Sequence, residues 1–300
     1  MKLSICIPVF NFDVNELIDD LQNQIDSENL DVEIILIDDA SSHEFVNINK
    51  NLETKVSQFI FLEKNIGRSK IRNLFLKYTN SEYLLFLDCD GKVINENFIK
   101  TYFDFISKQN PDVIFGGRKV SESEPDSAFG LRWKFATERE NLPVSQRLKA
   151  PYLDFQTNNF VVKKSVLEDV PFDEKIMQYG YEDLVFSKDL QDHQVKIDHI
   201  DNPIFNNDVE SNAIFLSKAD QSAKSLAQLI NNDKNFERVS QIRLAKAYLL
   251  MKKTGIIFIY KLIYKILKSQ IEKKLLTGKA SLKVLDFYKL GQLIGYMNKN

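Results

Sequence analysis

The sequence predicts an α/β fold, a mostly parallel central sheet flanked by helices, with an α-helical C-terminal extension. Two observations predict it. Short apolar runs alternate with helix-period segments from Leu3 to Phe115, the βαβαβ order that builds a parallel sheet wrapped by helices. From Ser211 onward the pattern is helical almost to the end. The 300 residues, 44% hydrophobic and 27% charged, make one large domain or a domain with an appendage. Disordered, collagen-like and low-complexity classes are excluded, and no repeat of solenoid length is visible.

Leu3–Val9 is an apolar strand interrupted only by Ser4 and Pro8. Asp13, with Glu16 three residues later, has capping-box spacing and is the expected N-cap. Val14, Leu17, Ile18, Leu21 and Ile25 follow at helical spacing. Val32–Ile37 (VEIILI) reads as a buried strand and Phe59–Leu62 as another. Gly67–Tyr78 is a helix with Ile71, Leu74, Phe75 and Tyr78 on one face. Tyr83–Leu87 (YLLFL) is a strand, Asn97–Ser107 a helix and Val113–Phe115 a strand. Residues 116–160 lose the alternation; beyond them Val161–Val162 and Lys196–Ile200 look like short strands, and Glu182–Gln191 like a helix. Helices are then expected over 211–231, 237–253, 256–275 and 280–297, punctuated by Gly255 and Gly278. The expected division is a body of residues 1–210 and a basic, amphipathic helical extension of 211–300.

The 40 Lys and Arg nearly balance 42 Asp and Glu, for a net charge of −2. From Ser240 to the end, however, 13 basic residues face only Glu272 and Asp286, a charge of +11 that leaves −13 on the other 239 residues. In this tail Ile256, Ile259, Tyr260, Ile263, Ile266 and Leu267 can share a stripe beside Lys252, Lys253, Lys261, Lys265 and Lys268. Such a segment either lies on an anionic membrane surface or packs as an ordinary helical subdomain with charged outer faces. No nucleic-acid partner is expected, because the basic residues join no nucleic-acid motif. Cys6 and Cys89 exclude a disulfide framework and read as small buried residues of a protein in a reducing compartment. No secretory leader is expected, since the run after Lys2 stops at Asn11 without a small-residue cleavage site. No transmembrane span is expected either, because Lys261 cuts off the stretch Gly255–Tyr260.

Three strands end on polar groups: Asn11, then Asp38-Asp39, then Asp88-Cys89-Asp90. In open α/β sheets ligands bind beyond the carboxyl ends of the strands, so separate segments deliver these groups to one edge. Asp88-Cys-Asp90 is a DxD directly after a buried strand. It is either a solvated turn or a pair of hard oxygen ligands for Mg²⁺ or Mn²⁺, which can neutralise a diphosphate leaving group. Asp38-Asp39-Ala-Ser-Ser42 suits helix capping or hydrogen bonds to a base or ribose. Asn65-Ile-Gly67-Arg68-Ser-Lys70-Ile-Arg72-Asn73 opens a helix with three cations in five residues. That suits a phosphate or base carbonyl, or a solvated basic face, and lacks the Walker core. Glu182-Asp183 stands at a helix start, where acids complement the macrodipole or, in a cleft, supply a general base.

Together these residues resemble a known family. Ile5–Asn11 (ICIPVFN), Ile34–Ser42 (IILIDDASS), Asn65–Asn73 (NIGRSKIRN), Leu87–Asp90 (LDCD) and Tyr179–Asp183 (YGYED) occur in the order and rough spacing of family-2 glycosyltransferases of the GT-A, Rossmann-like fold. The resemblance covers about residues 1–210. It implies that Pro8 and Phe10 line a nucleotide pocket and that Asp39 accepts a hydrogen bond from the base, most often uracil. It places Arg68 near the base or diphosphate, Asp88 at the ribose or metal shell, and Asp90 on the Mn²⁺ or Mg²⁺. Asp183 is then the base that deprotonates the acceptor hydroxyl, and Glu182 an acceptor-binding group. One departure stands out: Asn206 occupies the place where the family often has a metal-binding His, which leaves Asn206, Asp208 or the upstream His199 to complete the shell.

The expected protein is therefore a metal-dependent inverting glycosyltransferase. Its donor is a nucleotide sugar, a UDP-sugar first, and its acceptor a hydroxyl of a glycan or lipid-linked glycan in surface polysaccharide synthesis. The expected setting is cytoplasmic, at the inner face of the membrane. A sugar nucleotidyltransferase is disfavoured because Ile5–Asn11 has no glycine. A catalytically silent scaffold or sugar-binding protein of the same fold is disfavoured by the intact Asp88, Asp90 and Asp183.

Overall fold

Alternation along the first strand sets two cores at once. In β1 (Leu3–Val9), Leu3, Ile5, Ile7 and Val9 enter one apolar cluster while Cys6 enters another, as the period of two requires. The computed structural model describes residues 2–176, 180–206 and 210–297, with 233–235 as backbone only. The remaining strands are β2 (Val32–Asp38), β3 (Gln58–Phe61), β4 (Tyr83–Leu87), β5 (Gly91–Lys92), β6 (Val113–Phe115), β7 (Arg118–Lys119), β8 (Asn159–Lys163), β9 (Ile197–His199) and β10 (Ile204–Asn206). The helices are, in chain order, α1 (Asn15–Glu28), α2 (His43–Asn49), α3 (Arg68–Leu74), α4 (Phe98–Gln109), α5 (Gly130–Phe135), α6 (Val144–Arg147) and α7 (Lys164–Asp169). They continue with α8 (Glu182–Asp192), α9 (Asn212–Ile230), α10 (Asp233–Ser240), α11 (Arg243–Thr254), α12 (Ile257–Leu276) and α13 (Leu282–Met297).

The chain forms two compact units. The first comprises Met1–Val120, Glu140–Met177 and Glu182–Asp208; the second comprises Ser121–Arg139, Gln178–Tyr181 and Val209–Asn300. In the first, a seven-stranded sheet runs β3-β2-β1-β4-β8-β6-β9. All its pairs are parallel except β4–β8 and β8–β6. Helices α1 and α4 cover one face with Leu17, Ile18, Leu21, Phe98, Ile99 and Tyr102. Ile71 and Phe75, with Leu167, Phe186 and Leu190, cover the other. A small second sheet, β5-β10-β7, ties the segment after Asp90 to the segment after Phe115. It is too short and polar to show a strand period in the sequence.

Local details differ from the expectation where side chains found other partners. Asp13 does not cap α1 through a capping box: the N-cap is Val14, Asp13 Oδ1 accepts from the Asn15 N–H at 3.0 Å, and Glu16 pairs with Lys92 instead. Cys6 is fully buried and Cys89 half-buried, both as free thiols. The helix expected over 237–253 is two helices, because Ser240 turns its hydroxyl back onto the Glu237 carbonyl and ends α10.

Gly116, at the end of β6, has no room for a side chain. A Cβ there would fall 2.1 Å from the Tyr102 hydroxyl and 2.6 Å from both Asn159 Nδ2 and the Asn202 carbonyl oxygen. Those groups form a buried network in which Tyr102 donates to Asn159 Oδ1 (2.6 Å) and Asn159 Nδ2 donates to the Asn202 carbonyl (2.9 Å). Gly116→Ala is expected to lower stability by about 3 kcal/mol. Urea unfolding checks it as a lower midpoint at unchanged slope.

The second unit is helical. The carboxamide of buried Asn212 joins its parts: Nδ2 donates to the carbonyls of Ser127 (2.7 Å) and Leu276 (3.0 Å), and Oδ1 accepts from the Leu131 N–H (2.9 Å). Arg139 grips Asp286 with two bonds of 2.7 Å. These contacts bring Ser121–Arg139, taken from mid-chain, onto the C-terminal helices. Gly291 on α13 leaves space for the Tyr264 ring of α12.

Candidate active site

The carboxyl ends of β1, β2 and β4 are joined by their own loops. The Asp39 N–H donates to the Val9 carbonyl at 2.8 Å, Asn11 exchanges hydrogen bonds with Ser41 and Ser42, and the Phe10 backbone bonds the Cys89 thiol. Asn11 and Ala40 take left-handed conformations (φ 50° and 63°) that let both loops turn sharply at the edge. Pro8 is half-buried at the end of β1, and Phe10 is exposed just beyond it. Both therefore stand at the carboxyl end of β1.

Asp39 is buried, and its carboxylate holds the start of α3: Oδ1 accepts from the Ile66 N–H (2.7 Å) and Oδ2 from the Gly67 N–H (3.2 Å). Burial raises its pKa, those two N–H groups oppose the rise, and Asp38 adds to it. Each oxygen retains a second lone pair, so one more donor can be accepted. Gly67, with φ 84°, turns the chain into α3. Within the Asn65–Asn73 motif, Asn73 clasps both the N–H and the carbonyl of Phe172, a structural role.

Arg68 and Arg72, four residues apart on α3, each hold an acid of the site. Arg68 Nη1 donates to Glu182 Oε1 at 3.1 Å and Arg72 Nη2 to Asp88 Oδ1 at 2.9 Å. Arg68 is exposed; Arg72 and Glu182 are buried. The sequence presents Arg72 only as one of three cations, and its spacing from Arg68 is the signal that puts both on one face.

The DxD closes as a tight turn, with the Gly91 N–H donating to the Asp88 carbonyl at 3.1 Å. Burial raises the pKa of Asp88; Arg72 opposes the rise and Asp90 adds to it, while to a smaller extent Arg68 lowers it and Glu182 raises it. Asp90 Oδ2 accepts from Asn206 Nδ2 at 2.9 Å. The second sheet makes this contact, because β10 pairs with β5 immediately after Asp90. Asp88 and Asp90 each keep a second carboxylate oxygen. Such a hard-oxygen pair fits Mg²⁺ or Mn²⁺, which take one or two carboxylates and complete their shell with substrate phosphates and water. Among the described residues no cluster of three or more His, Cys, Asp or Glu forms a fuller site.

His199, the upstream candidate for the metal shell, has both ring nitrogens committed to other groups. It is buried on β9, with Nε2 on the Pro151 carbonyl (3.1 Å), Nδ1 against Arg147 Nη1 (3.4 Å) and its ring edge-on to Phe115. Burial, then the Arg147 charge, push its pKa down to about 4. With both nitrogens engaged it is a core histidine, contrary to its candidacy as a ligand. Asp208, the other candidate, and Tyr179 of the YGYED motif lie outside the described residues.

Glu182 and Asp183 open α8 after Tyr181, which is left-handed at φ 72°. Asp183 is half-buried, and among the described residues its hydrogen bond is from the Leu184 N–H (2.8 Å). Burial, then repulsion from Glu182, push its pKa up to about 7; the Leu184 N–H and the charges of Arg72 and Arg68 hold it from rising further. A carboxyl poised near neutrality can take a proton at working pH.

Buried polar atoms without a partner gather on these same segments. Among the described residues they are Asp38 Oδ2, Ser69 Oγ, Arg72 Nε, Asn158 Oδ1, and Nε and Nη2 of Arg118. Such groups are rare in a core, and four of the six lie on Asp38, Ser69, Arg72 and Asn158, in the strand-end and α3 segments that carry the acids. Arg118, paired with Glu140 at 2.9 Å, was not legible in the sequence, because β7 and its partner β10 carry no periodic signal.

Comparison with known proteins agrees with this geometry. The family model described as Glycosyl transferase family 2 matches residues 4–170. A poly(ribitol-phosphate) beta-glucosyltransferase of Bacillus spizizenii is 32% identical over 124 residues, covering 40% of this chain and 19% of that protein. The chain's matches span 19% and 23% of the length of the first curated relatives. Among solved structures, Staphylococcus aureus TarS 1-349 in complex with UDP has a TM-score of 0.52 at 19% identity, covering 100% of this chain and 92% of that one. The mannosyltransferase PcManGT from Pyrobaculum calidifontis, in complex with GDP-Man and Mn²⁺, has a TM-score of 0.58 at 11% identity, covering 99% and 85%. At these identities the structural likeness establishes the fold.

Proposed function

This chain belongs to glycosyl transferase family 2 and has the GT-A fold, and from that membership we propose that it is a metal-dependent inverting glycosyltransferase. It moves a sugar from a UDP-sugar to a hydroxyl of a glycan or lipid-linked glycan in surface polysaccharide synthesis, on the cytoplasmic side of the membrane. The first unit (Met1–Val120, Glu140–Met177 and Glu182–Asp208) carries catalysis, while Ser121–Arg139 and Gln178–Tyr181, expected within a continuous body of residues 1–210, belong with the helical unit of Val209–Asn300. The observation that carries this reading is the pair of ion pairs on α3, Arg68 to Glu182 at 3.1 Å and Arg72 to Asp88 at 2.9 Å, which ties the acids opening α8 and the DxD into one charge cluster. The UDP of the TarS structure supports the donor, and the Mn²⁺ of the mannosyltransferase supports the cofactor.

Asp183 takes the proton of the acceptor hydroxyl as that oxygen bonds to the anomeric carbon. The bond from that carbon to the β-phosphate oxygen breaks on the opposite face, and its electron pair leaves with UDP, which inverts the centre. Asp90 and Asp88 would hold the metal, which when bound would supply positive charge to stabilise the leaving diphosphate. Arg68 adds a second positive charge there, and Glu182 orients it while facing the acceptor. Pro8, Phe10 and Asp39 receive the nucleoside, with Asp39 accepting from the base. Arg72 opposes the rise that burial causes in the pKa of Asp88.

Two measurements test this reading. Calorimetry with UDP, GDP, CDP and dTDP, each with and without Mn²⁺, is expected to show metal-dependent binding of UDP. Binding of none of the four removes the donor assignment. The kcat/KM of transfer is expected to rise with pH through an apparent pKa near 7, because burial favours the protonated Asp183 and only the ionised carboxylate accepts a proton. A profile flat from pH 5 to 8 would sink the role of Asp183 (roughly that range spans the limb).

A further inference from the structure

Helix α12 is apolar on two opposite faces. One face, with Tyr260, Tyr264 and Leu275, is buried within the second unit. There the Tyr260 hydroxyl donates to the Phe287 carbonyl and Tyr264 to Gln292 Oε1. This divides the stripe expected from the sequence, since Tyr260 turns inward while its apolar neighbours turn out. The outward face carries Phe258, Ile259, Leu262, Ile263 and Ile266, spaced i, i+1, i+4, i+5 and i+8. Phe258, Ile259, Leu262 and Ile266 are between 62% and 75% exposed. A helix packed on a globular body carries polar residues on its outer face. Here more than two turns have none, so this face is built to be covered.

The surroundings identify the cover. Lys261, Lys265 and Lys268 run along one edge of the apolar face, and Lys252 and Lys253 precede it on α11. The two acids of this basic stretch are both engaged, Glu272 with Lys268 and Asp286 with Arg139. The same three edge lysines line a groove of about 460 Å³ between α12 and α13, floored by Gly291 and Gly295. No described helix is long and apolar enough to cross a membrane, so the contact is one of lying on a surface. An apolar strip edged by cations matches a layer that is apolar inside and anionic at its surface.

We propose that the outward face of α12 rests on an anionic phospholipid bilayer, with Phe258, Leu262 and Ile266 in the acyl boundary and Lys261, Lys265 and Lys268 on headgroup phosphates. This inference does not depend on the sugar or the acceptor.

The test is sedimentation of the full chain with vesicles of phosphatidylcholine alone or mixed with phosphatidylglycerol. Binding is expected to the mixed vesicles, about tenfold or more weaker to phosphatidylcholine alone, and weaker as salt rises. The double variant Leu262→Gln, Ile266→Gln is expected to lose about tenfold or more of that binding at unchanged circular dichroism, since both side chains lie in solvent. Lys261→Gln with Lys265→Gln is expected to lose the preference for the anionic lipid and keep the residual binding. Absence of binding to mixed vesicles, or equal binding by the parent and the apolar double variant, overturns the proposal. So does a self-associated parent, seen by sedimentation velocity, that the double variant converts to monomer without any vesicle binding; the cover is then a second copy of this chain.

Discussion

Asp183→Asn is expected to lower the turnover of sugar transfer by roughly 10²-fold or more while leaving donor affinity unchanged. The asparagine keeps the size of the side chain and can still meet the Leu184 N–H that the carboxylate meets at 2.8 Å. It cannot take a proton, so the loss falls on turnover. Two acids stand side by side, and the geometry separates their tasks. Glu182 is buried and already shares Oε1 with Arg68, so its carboxylate is committed to an ion pair. Asp183 is half-buried and has its pKa pushed up to about 7. Steady-state kinetics with UDP-sugar and acceptor, alongside calorimetry with UDP, checks the split. Retained turnover in Asp183→Asn together with its loss in Glu182→Gln would reassign the base.

The second large effect is expected at the DxD: Asp90→Ala abolishes the metal-dependent part of UDP binding. Each carboxylate keeps one oxygen, but the partner of Asp90 is the neutral amide of Asn206, whereas the charge of Asp88 is already met by Arg72. Asp90 is therefore the better placed of the two to bind an ion directly, with Asp88 assisting. Asn206→Ala removes only the partner that orients Asp90, and is expected to weaken metal-dependent binding within the ~10–100-fold span of outer-shell substitutions. Calorimetric titration of UDP at several Mn²⁺ concentrations measures both. Equal UDP affinity in Asp90→Ala and the parent would take Asp90 out of the metal site.

Much of this site could be read from the chain because its residues sit in runs that punctuate strong strands. Asp38-Asp39 follows VEIILI and Asp88-Cys-Asp90 follows YLLFL, and the edge they share is a property of any parallel α/β sheet. The Arg72–Asp88 and Asn206–Asp90 contacts were not legible, since each joins residues far apart in sequence. Nor was the burial of His199, which follows from β9 packing beside β6. The orphaned guanidinium atoms of Arg118 depend on β7, a two-residue strand with no period to detect.

The alternation of strands and helices, the acidic edge, the family resemblance and the concentration of basic charge after Ser240 are all readable from the chain alone. Periodicity and local chemistry carry these, and both are written in neighbouring residues. The tertiary structure alone decided which acid each arginine holds, which carboxyl is lifted toward neutrality and which face of α12 is left in solvent. Ion pairing, desolvation and exposure are properties of what surrounds a side chain. The residues that surround Asp183, Asp90 and Leu262 are brought there by the fold, from segments that one-dimensional spacing does not connect.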